Sequence, residues 1–502
     1  MKRRQVLKNL ALLTTVGTLA PNLLMGCTEV KSTKSDTLKT KNNAISDKLT
    51  DNSVGNSIKI NDDNFKLLIK NGKVFTGEKL EEISLAITKD NKIKLFRENV
   101  TSSNEFDAKG KIVSPGFVDI LADNAGNPKQ TYKIFEKYKI SDGATSVLQM
   151  HGGAAYVQEF FNHFGKLPHY VNYGVSTFVM VLRGKGHPAT LKAIEKSLEE
   201  GALGVAHSIE YQPATQYSEC LDYAKIAKKY DRPFFLHLRH SSEKEEILGV
   251  KEAIKLAKES GAHVHIDHIH STGGTYNMPE ALRLMQEAVD SGLKMTTCIY
   301  PYTFWATYIA SARFNEGWQE RYKITYKDLE VVGTGEHLTK ARFAQLRTQQ
   351  GVLVAVPEGT MPAEKTINLA LEKDFCMIGS DGGIEREPIA NSHPRGAGCF
   401  ATAIRHAINI KMPLEKILHK ITALPASVVA PAMNDRGVLK DGNIADITIF
   451  DLETINGKGT VANPNQFSSG IEAVFVNGEL TYQNKKIITS KGLPLRNFGK
   501  GK

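Results

Sequence analysis

The sequence predicts a (β/α)8 barrel, an α/β fold, over residues 113–432, with a small β-sandwich composed from the segments on either side of it. Three observations lead there. Short apolar runs alternate with amphipathic helical stretches through the middle of the chain. Those runs are apolar along their whole length, as strands covered on both faces must be. Two patches of alternating sequence, broken by turn signals, bracket the middle.

The N-terminus stands apart from this fold. MKRRQVLKNLALLTTVGTLAPNLLMGC joins a basic start to a short apolar run interrupted by Pro21, then a small residue before Cys27. That is the layout of an export signal over residues 1–26, and the run is too short and broken for a membrane span. RRQVLK resembles a twin-arginine signal and LMGC a bacterial lipoprotein box, which imply export in a folded state and lipidation of Cys27. An ordinary cleaved secretory signal is the alternative. The expected location is the periplasmic side of a bacterial membrane, reached through a lipid anchor. Residues 27–63, rich in Lys, Ser, Thr, Asn and Asp, cannot bury enough apolar area to order themselves and read as a flexible tether.

Residues 64–112 carry KLLIKNGKVFTG and ISLAITKDNKIKLF, with Asn-Gly and Asp-Asn turns between strands. Residues 433–490 carry ADITIFDLETI and IEAVFVNGELTYQNKKI, and the two segments together predict the sandwich; 491–502 are a tail. Barrel strands are expected at IVSPGFVDIL, ATSVLQMH, YVNYGVSTFVMVL, GALGVAHS, RPFFLHLR, AHVHIDHI, KMTTCIYP and FCMIGSD. Helical stretches such as SEKEEILGVKEAIKLAKES and MPEALRLMQEAVDSG separate them. VLVAVPEG and the segment around 304–350 fall outside this alternation and read as an insertion over the barrel mouth.

The formal net charge of +10 is spread without a basic stripe, and Lys2, Arg3, Arg4 and Lys8 belong to the signal. No nucleic-acid partner is expected from that pattern. Cys220, Cys298, Cys376 and Cys399 show no CxxC spacing and read as buried thiols.

Chemistry in such a barrel gathers at the C-terminal ends of the strands. His151, His237 with Arg239, His268 and Asp381 stand at those ends. Any one of them alone reads as a hydrogen-bonded structural residue, and Asp381 as a turn or cap residue. Together, three imidazoles and a carboxylate on one face suit one Zn²⁺ ion, or another divalent metal, with a position left for water. His263 and His265 lie earlier on their strand and are assigned to packing. His240 and His270 sit next to the site in sequence, where a supporting role is open.

AKGKIVSPGFVDI, DGATSVL, EEGALGVAHSIEYQPAT, HIDHIHSTGG, YPYT, GSDGG, HPRGAGCF and RGVLKDGNIADITIFD, in this order, resemble the amidohydrolase superfamily. More narrowly they resemble its N-acyl-D-amino-acid deacylase (D-aminoacylase) group. The likeness runs from about residue 65 to 490, and EGWQERYKITYKDLEVVGTGEHLT is similar to an insertion in an N-acyl-D-glutamate deacylase-like branch. The resemblance implies metal-dependent hydrolysis of an N-acyl amino acid, a small substrate carrying a carboxylate. It implies His237 and His268 as metal ligands, and Asp381 as ligand, general base and proton shuttle. It further implies that Arg395, Tyr300 and Arg239 hold the substrate carboxylate, a task that suits the planar fork of Arg.

The sequence departs from the family at two places. Where the family has Asp-x-His-x-His after PGF, this chain has Asp119-Ile120-Leu121-Ala122-Asp123. Leu121 offers no ligand atom, and Asp123 offers a carboxylate. At the end of the next strand the family places Cys or Glu; here Gln149-Met150-His151 leaves His151 as the substitute ligand. Two functions follow: a hydrolase with a single metal, or a catalytically degraded relative that binds a ligand at the cell envelope.

Overall fold

The computed structural model describes residues 58–60, 62–122, 128–383 and 393–499. Cys27 and Asp123 lie outside the described residues. The apolar run IVSPGFVDIL, expected as one barrel strand, serves two sheets. Ile112–Pro115 pairs antiparallel with Ile447–Phe450, whereas Phe117–Asp119 starts the barrel. Gly116 is the pivot between them. A Cβ at this position would stand 2.1 Å from Thr145 Oγ1, so only glycine lets the two strands come this close. Its N–H donates to the carbonyl of Asp446 at 2.9 Å, which ties the pivot to the sandwich.

The barrel strands are β1 (Phe117–Asp119), β2 (Ala144–Ala154), β3 (Asn172–Phe178), β4 (Val205–Ser208), β5 (Phe234–His237), β6 (Val264–Ile266), β7 (Met295–Ile299) and β8 (Cys376–Ile378). They lie side by side in sequence order as an eight-stranded sheet, every neighbouring pair parallel. A parallel bridge between Ala122 and Gly382, just past β1 and β8, brings the two edges together. The helices cover the outside for the reason their sequences suggest. In Glu246–Ser260 the buried residues Val250, Ala253, Leu256 and Ala257 recur at helical spacing, and the helix stops at Gly261 in the left-handed region (φ 66°).

Inside the barrel, Val118, Leu121, Leu148, Met150, Phe235, Cys298 and Met377 form one apolar cluster drawn from several strands. Leu121 is 1% exposed, so the residue in place of a ligand is packed as core. Between β7 and β8 the insertion folds as a small sheet of Ala306–Tyr308, Leu353–Ala355, Glu330–Val331 and Glu336–His337, the VLVAVPEG run supplying its second strand. Trp305, Phe314, Trp318 and Phe343 pack ring against ring beside it.

Strands from both sides of the barrel build the sandwich. One sheet holds Phe65–Lys70 and Ser84–Thr88; the other joins Ile112–Pro115 and Lys73–Phe75 to Ile447–Phe450, Ile471–Val476 and Glu479–Gln483. Ile69, Leu85, Val113, Ile447, Ile449 and Phe475 meet between them. Buried Asp446 accepts from Asn172 Nδ2 of β3 at 2.9 Å and from the Asn477 N–H at 2.7 Å, and pairs with Arg436, linking sandwich to barrel. Cys220, Cys298, Cys376 and Cys399 are buried free thiols.

Gly116→Ala is expected to lower stability by about 1–3 kcal/mol, the usual cost of forcing a methyl group into a filled space. A urea titration should show an earlier midpoint with an unchanged slope. An unshifted midpoint would contradict the pivot.

Candidate metal centre

Four strand ends and one helix start bring the site together. β5 ends on His237. β6 ends at Ile266, so His268 lies two residues past the strand; β8 ends at Ile378, so Asp381 lies three residues past it. His151 is carried within β2, and Arg395 opens the helix Arg395–Asn409. All five side chains are buried.

The rings of His237 and His268 are 5.1 Å apart, centre to centre, and those of His151 and His237 are 5.9 Å apart. Two imidazoles sharing one tetrahedral Zn²⁺ through bonds of about 2.0–2.1 Å would place their ring centres roughly 5 Å apart. His268 Nε2 is 3.9 Å from Asp381 Oδ2.

Glu210, two residues beyond β4, decides how His237 presents itself. Its Oε2 lies 2.8 Å from His237 Nε2 and 3.1 Å from Arg313 Nε, and Ser241 Oγ donates to its other oxygen. Burial alone would raise the Glu210 pKa, but the Arg313 charge and the His237 and Ser241 hydrogen bonds outweigh it and hold it at about 2. An ionised Glu210 accepts a hydrogen bond from the Nε2–H of His237. Burial keeps the imidazole neutral, so its lone pair sits on Nδ1, which is buried and has no partner.

Burial likewise holds His268 and His270 well below the usual histidine range, as it does His151. Neutral rings are what a metal requires. The nitrogens of His151 are already engaged: Nε2 lies 2.9 Å from Ser208 Oγ and Nδ1 3.3 Å from Asp267 Oδ2. Asp267 has no cation beside it, and burial, with the nearby Asp381 charge, raises its pKa well above the carboxylate range.

Asp381 sits in the left-handed region (φ 47°), an uncommon conformation for a residue with a side chain. Burial pushes its carboxyl up to about 7 against the pull of Arg395 and Arg313. Arg395 Nη2 lies 2.7 Å from Asp381 Oδ2, and its guanidinium stacks 4.5 Å over the Tyr300 ring. The second oxygen, Asp381 Oδ1, is buried without a partner.

The β1 end is different. Asp119 Oδ2 lies 2.8 Å from Lys139 Nζ and accepts from Ser380 Oγ at 2.7 Å; Oδ1 accepts the N–H groups of Ser380 and Leu121 at 3.1 Å. Leu121 turns into the apolar cluster. Among the described residues, nothing at this end fits a metal.

Among the described residues no group of three or more His, Cys, Asp or Glu side chains stands close enough together to hold a metal ion as placed. The donor set for one ion is nevertheless present: His237 Nδ1 and Asp381 Oδ1 are orphaned, and His268 stands next to both residues. The structure brings His151, His237, His268, Asp381, Tyr300 and Arg395 to this mouth. It does not bring Arg239, which forks onto Glu252 at 2.7 and 2.9 Å and donates to the Thr215 carbonyl, facing the helical layer. Sequence reasoning missed Glu210, Arg313, Asp267 and Lys139. Of these only Glu210 and Asp267 carried a signal, their places just after a strand.

Known proteins point the same way. The sequence signature of the amidohydrolase family matches residues 112–481. The chain is 27% identical over 310 residues to the N-acyl-D-glutamate deacylase of Alcaligenes xylosoxydans xylosoxydans; the match spans 59% of this chain and 61% of that relative's length. It is 24% identical over 311 residues to the N-acyl-D-aspartate deacylase of the same organism, across 59% of this chain and 60% of the relative. The N-acyl-D-glutamate deacylase of Bordetella bronchiseptica, solved with zinc and a phosphonate inhibitor, superposes with a TM-score of 0.72 at 23% identity, covering 86% of this chain and 100% of that one. That likeness establishes the barrel fold.

Removing the Glu210 charge should strand Arg313, which is 5% exposed. Glu210→Leu is expected to cost about 3–5 kcal/mol, and adding Arg313→Met should recover most of it. Chemical denaturation of the two single variants and the double variant checks this; additive losses would mean that the pair is not coupled.

Proposed function

Because the chain belongs to the amidohydrolase family, we propose that it hydrolyses a non-peptide C–N bond, that of an N-acyl-D-amino acid, at a single divalent metal. The observation that carries this reading is the orphaned pair His237 Nδ1 and Asp381 Oδ1, both buried on residues next to His268. These three residues would hold the ion, with His151 as the nearest further imidazole. A Zn²⁺ ion there would polarise the amide carbonyl and acidify a water molecule.

The remaining work falls to the chain itself. Asp381 takes a proton from the attacking water on Oδ2, the oxygen that Arg395 vacates when it turns to the substrate, and delivers it to the leaving nitrogen. Arg395 is placed to exchange its contact with Asp381 for the substrate carboxylate, whose two oxygens match its fork. Tyr300, packed beneath that guanidinium, fixes its direction. The insertion reaches the mouth through Arg313, which pairs with Glu210, and the buried surroundings strengthen each of these contacts. The relatives named above support an acidic N-acyl-D-amino acid as the first substrate to try. The export signal and Cys27 support a place at the cell envelope.

The lost ligand at Leu121 and the open cage favour a second reading, a relative that binds without turnover. The two separate cleanly. Protein loaded with zinc and desalted is expected to retain about one Zn per chain and to release amine from N-acyl-D-glutamate. His237→Ala should lose the metal, and Asp381→Asn should keep it while turnover falls by about 10²–10⁴. Binding of the substrate with no amine release under any metal would leave the second reading standing.

A further inference from the structure

The hydrolytic reading leaves the β1 end of the barrel mouth without a metal, although Asp119 is there, fully buried. A buried carboxylate needs a counter-charge or it gives up its ionised form. Lys139 supplies one. It projects from the helix Pro128–Ser141, its side chain is 2% exposed, and its Nζ lies 2.8 Å from both Asp119 Oδ2 and Ser380 Oγ. The Ser380 hydroxyl donates to Asp119 and accepts from Lys139 and from the Gly382 N–H at 3.1 Å. The residues on both sides of Asp381 are therefore pinned to this ion pair. Leu121 packs against the strand leading into the same turn, its Cβ so close that a methyl group on Gly379 would lie 2.6 Å away.

We propose that the Lys139 ammonium, and not a metal ion, balances the Asp119 carboxylate at this end, and that Lys139 is a positioning residue which holds the Ser380–Gly382 turn, and with it Asp381, at the mouth. A primary ammonium is the chemistry the position asks for. It brings one positive charge and three donors to a carboxylate and a hydroxyl, and it requires no further ligand from Leu121. The chain can then take at most one metal ion, and the turn is held whether or not that ion is bound.

The test uses the full chain. Wild-type protein incubated with a tenfold excess of Zn²⁺, then desalted, is expected to carry no more than one ion per chain by elemental analysis; two ions would overturn the proposal. Lys139→Ala opens a space of ammonium size beside Asp119. Methylammonium is expected to raise the melting temperature of that variant by at least about 2 °C, as a ligand bound only by the folded state must. Tetramethylammonium, with the same charge but no N–H, should not. Neither should shift the wild type, nor Lys139→Met, whose side chain fills the space. A Lys139→Ala protein that folds yet responds alike to both cations would overturn the proposal. If that variant does not fold, the zinc count on the wild type still decides. These readouts need no turnover, so a failed assay on N-acyl-D-amino acids and a failed role for Lys139 are separate results.

Discussion

Three carboxylates largely shielded from water at the mouth of the barrel each bring a cation with them, and the site depends on that pairing. Asp119 has Lys139, Glu210 has Arg313, and Asp381 has Arg395. A charge removed from water costs several kcal/mol unless its partner is close and well bonded. The fourth carboxylate, Asp267, shows what happens without a cation, since burial drives it towards its neutral form. The cations arrive from three separate parts of the chain: the helix after β1, the insertion after β7, and the helix after β8. The mouth can therefore form only when the barrel has closed and the insertion has docked.

Each pair gives its carboxylate a different duty. Glu210, held ionised by Arg313, fixes the tautomer of His237 and turns the ring's lone pair inwards. Asp119, neutralised by Lys139, anchors a turn rather than a metal. Asp381 is shared between Arg395 and the interior, with one oxygen bonded and one free. Burial keeps its affinity for protons far above that of an ordinary carboxylate, as a proton shuttle at neutral pH requires. One physical constraint, the cost of a buried charge, thus produces an orienting group, a structural anchor and a carboxyl whose proton affinity suits the proposed base.

The sequence made the barrel legible because apolar strands and strand-end polar residues repeat with a regular rhythm. His151, His237, His268 and Asp381 could be placed at the mouth on that basis, and Tyr300 and Arg395 only through the family resemblance; the structure gathers them there. Gly116 shows where rhythm fails: a single apolar run crosses from one sheet to another, and only the approach of Thr145 reveals the break. Arg239 shows a second limit. It follows a strand-end histidine, yet Glu252 on a neighbouring helix draws it outwards. Lys139 and Arg313 could not have been found from local pattern, since one sits in an ordinary-looking helix and the other in an insertion. Their partners lie 20 and 103 residues away in the chain.

The most direct measurement is an anomalous diffraction map, collected at the zinc edge from crystals grown with excess zinc. A single peak is predicted within bonding distance of His237 Nδ1 and His268 Nε2, next to Asp381, with no density of that kind beside Asp119. A peak at Asp119 would contradict the assignment of that position to Lys139. The absence of any peak at His237 would contradict the metal centre itself.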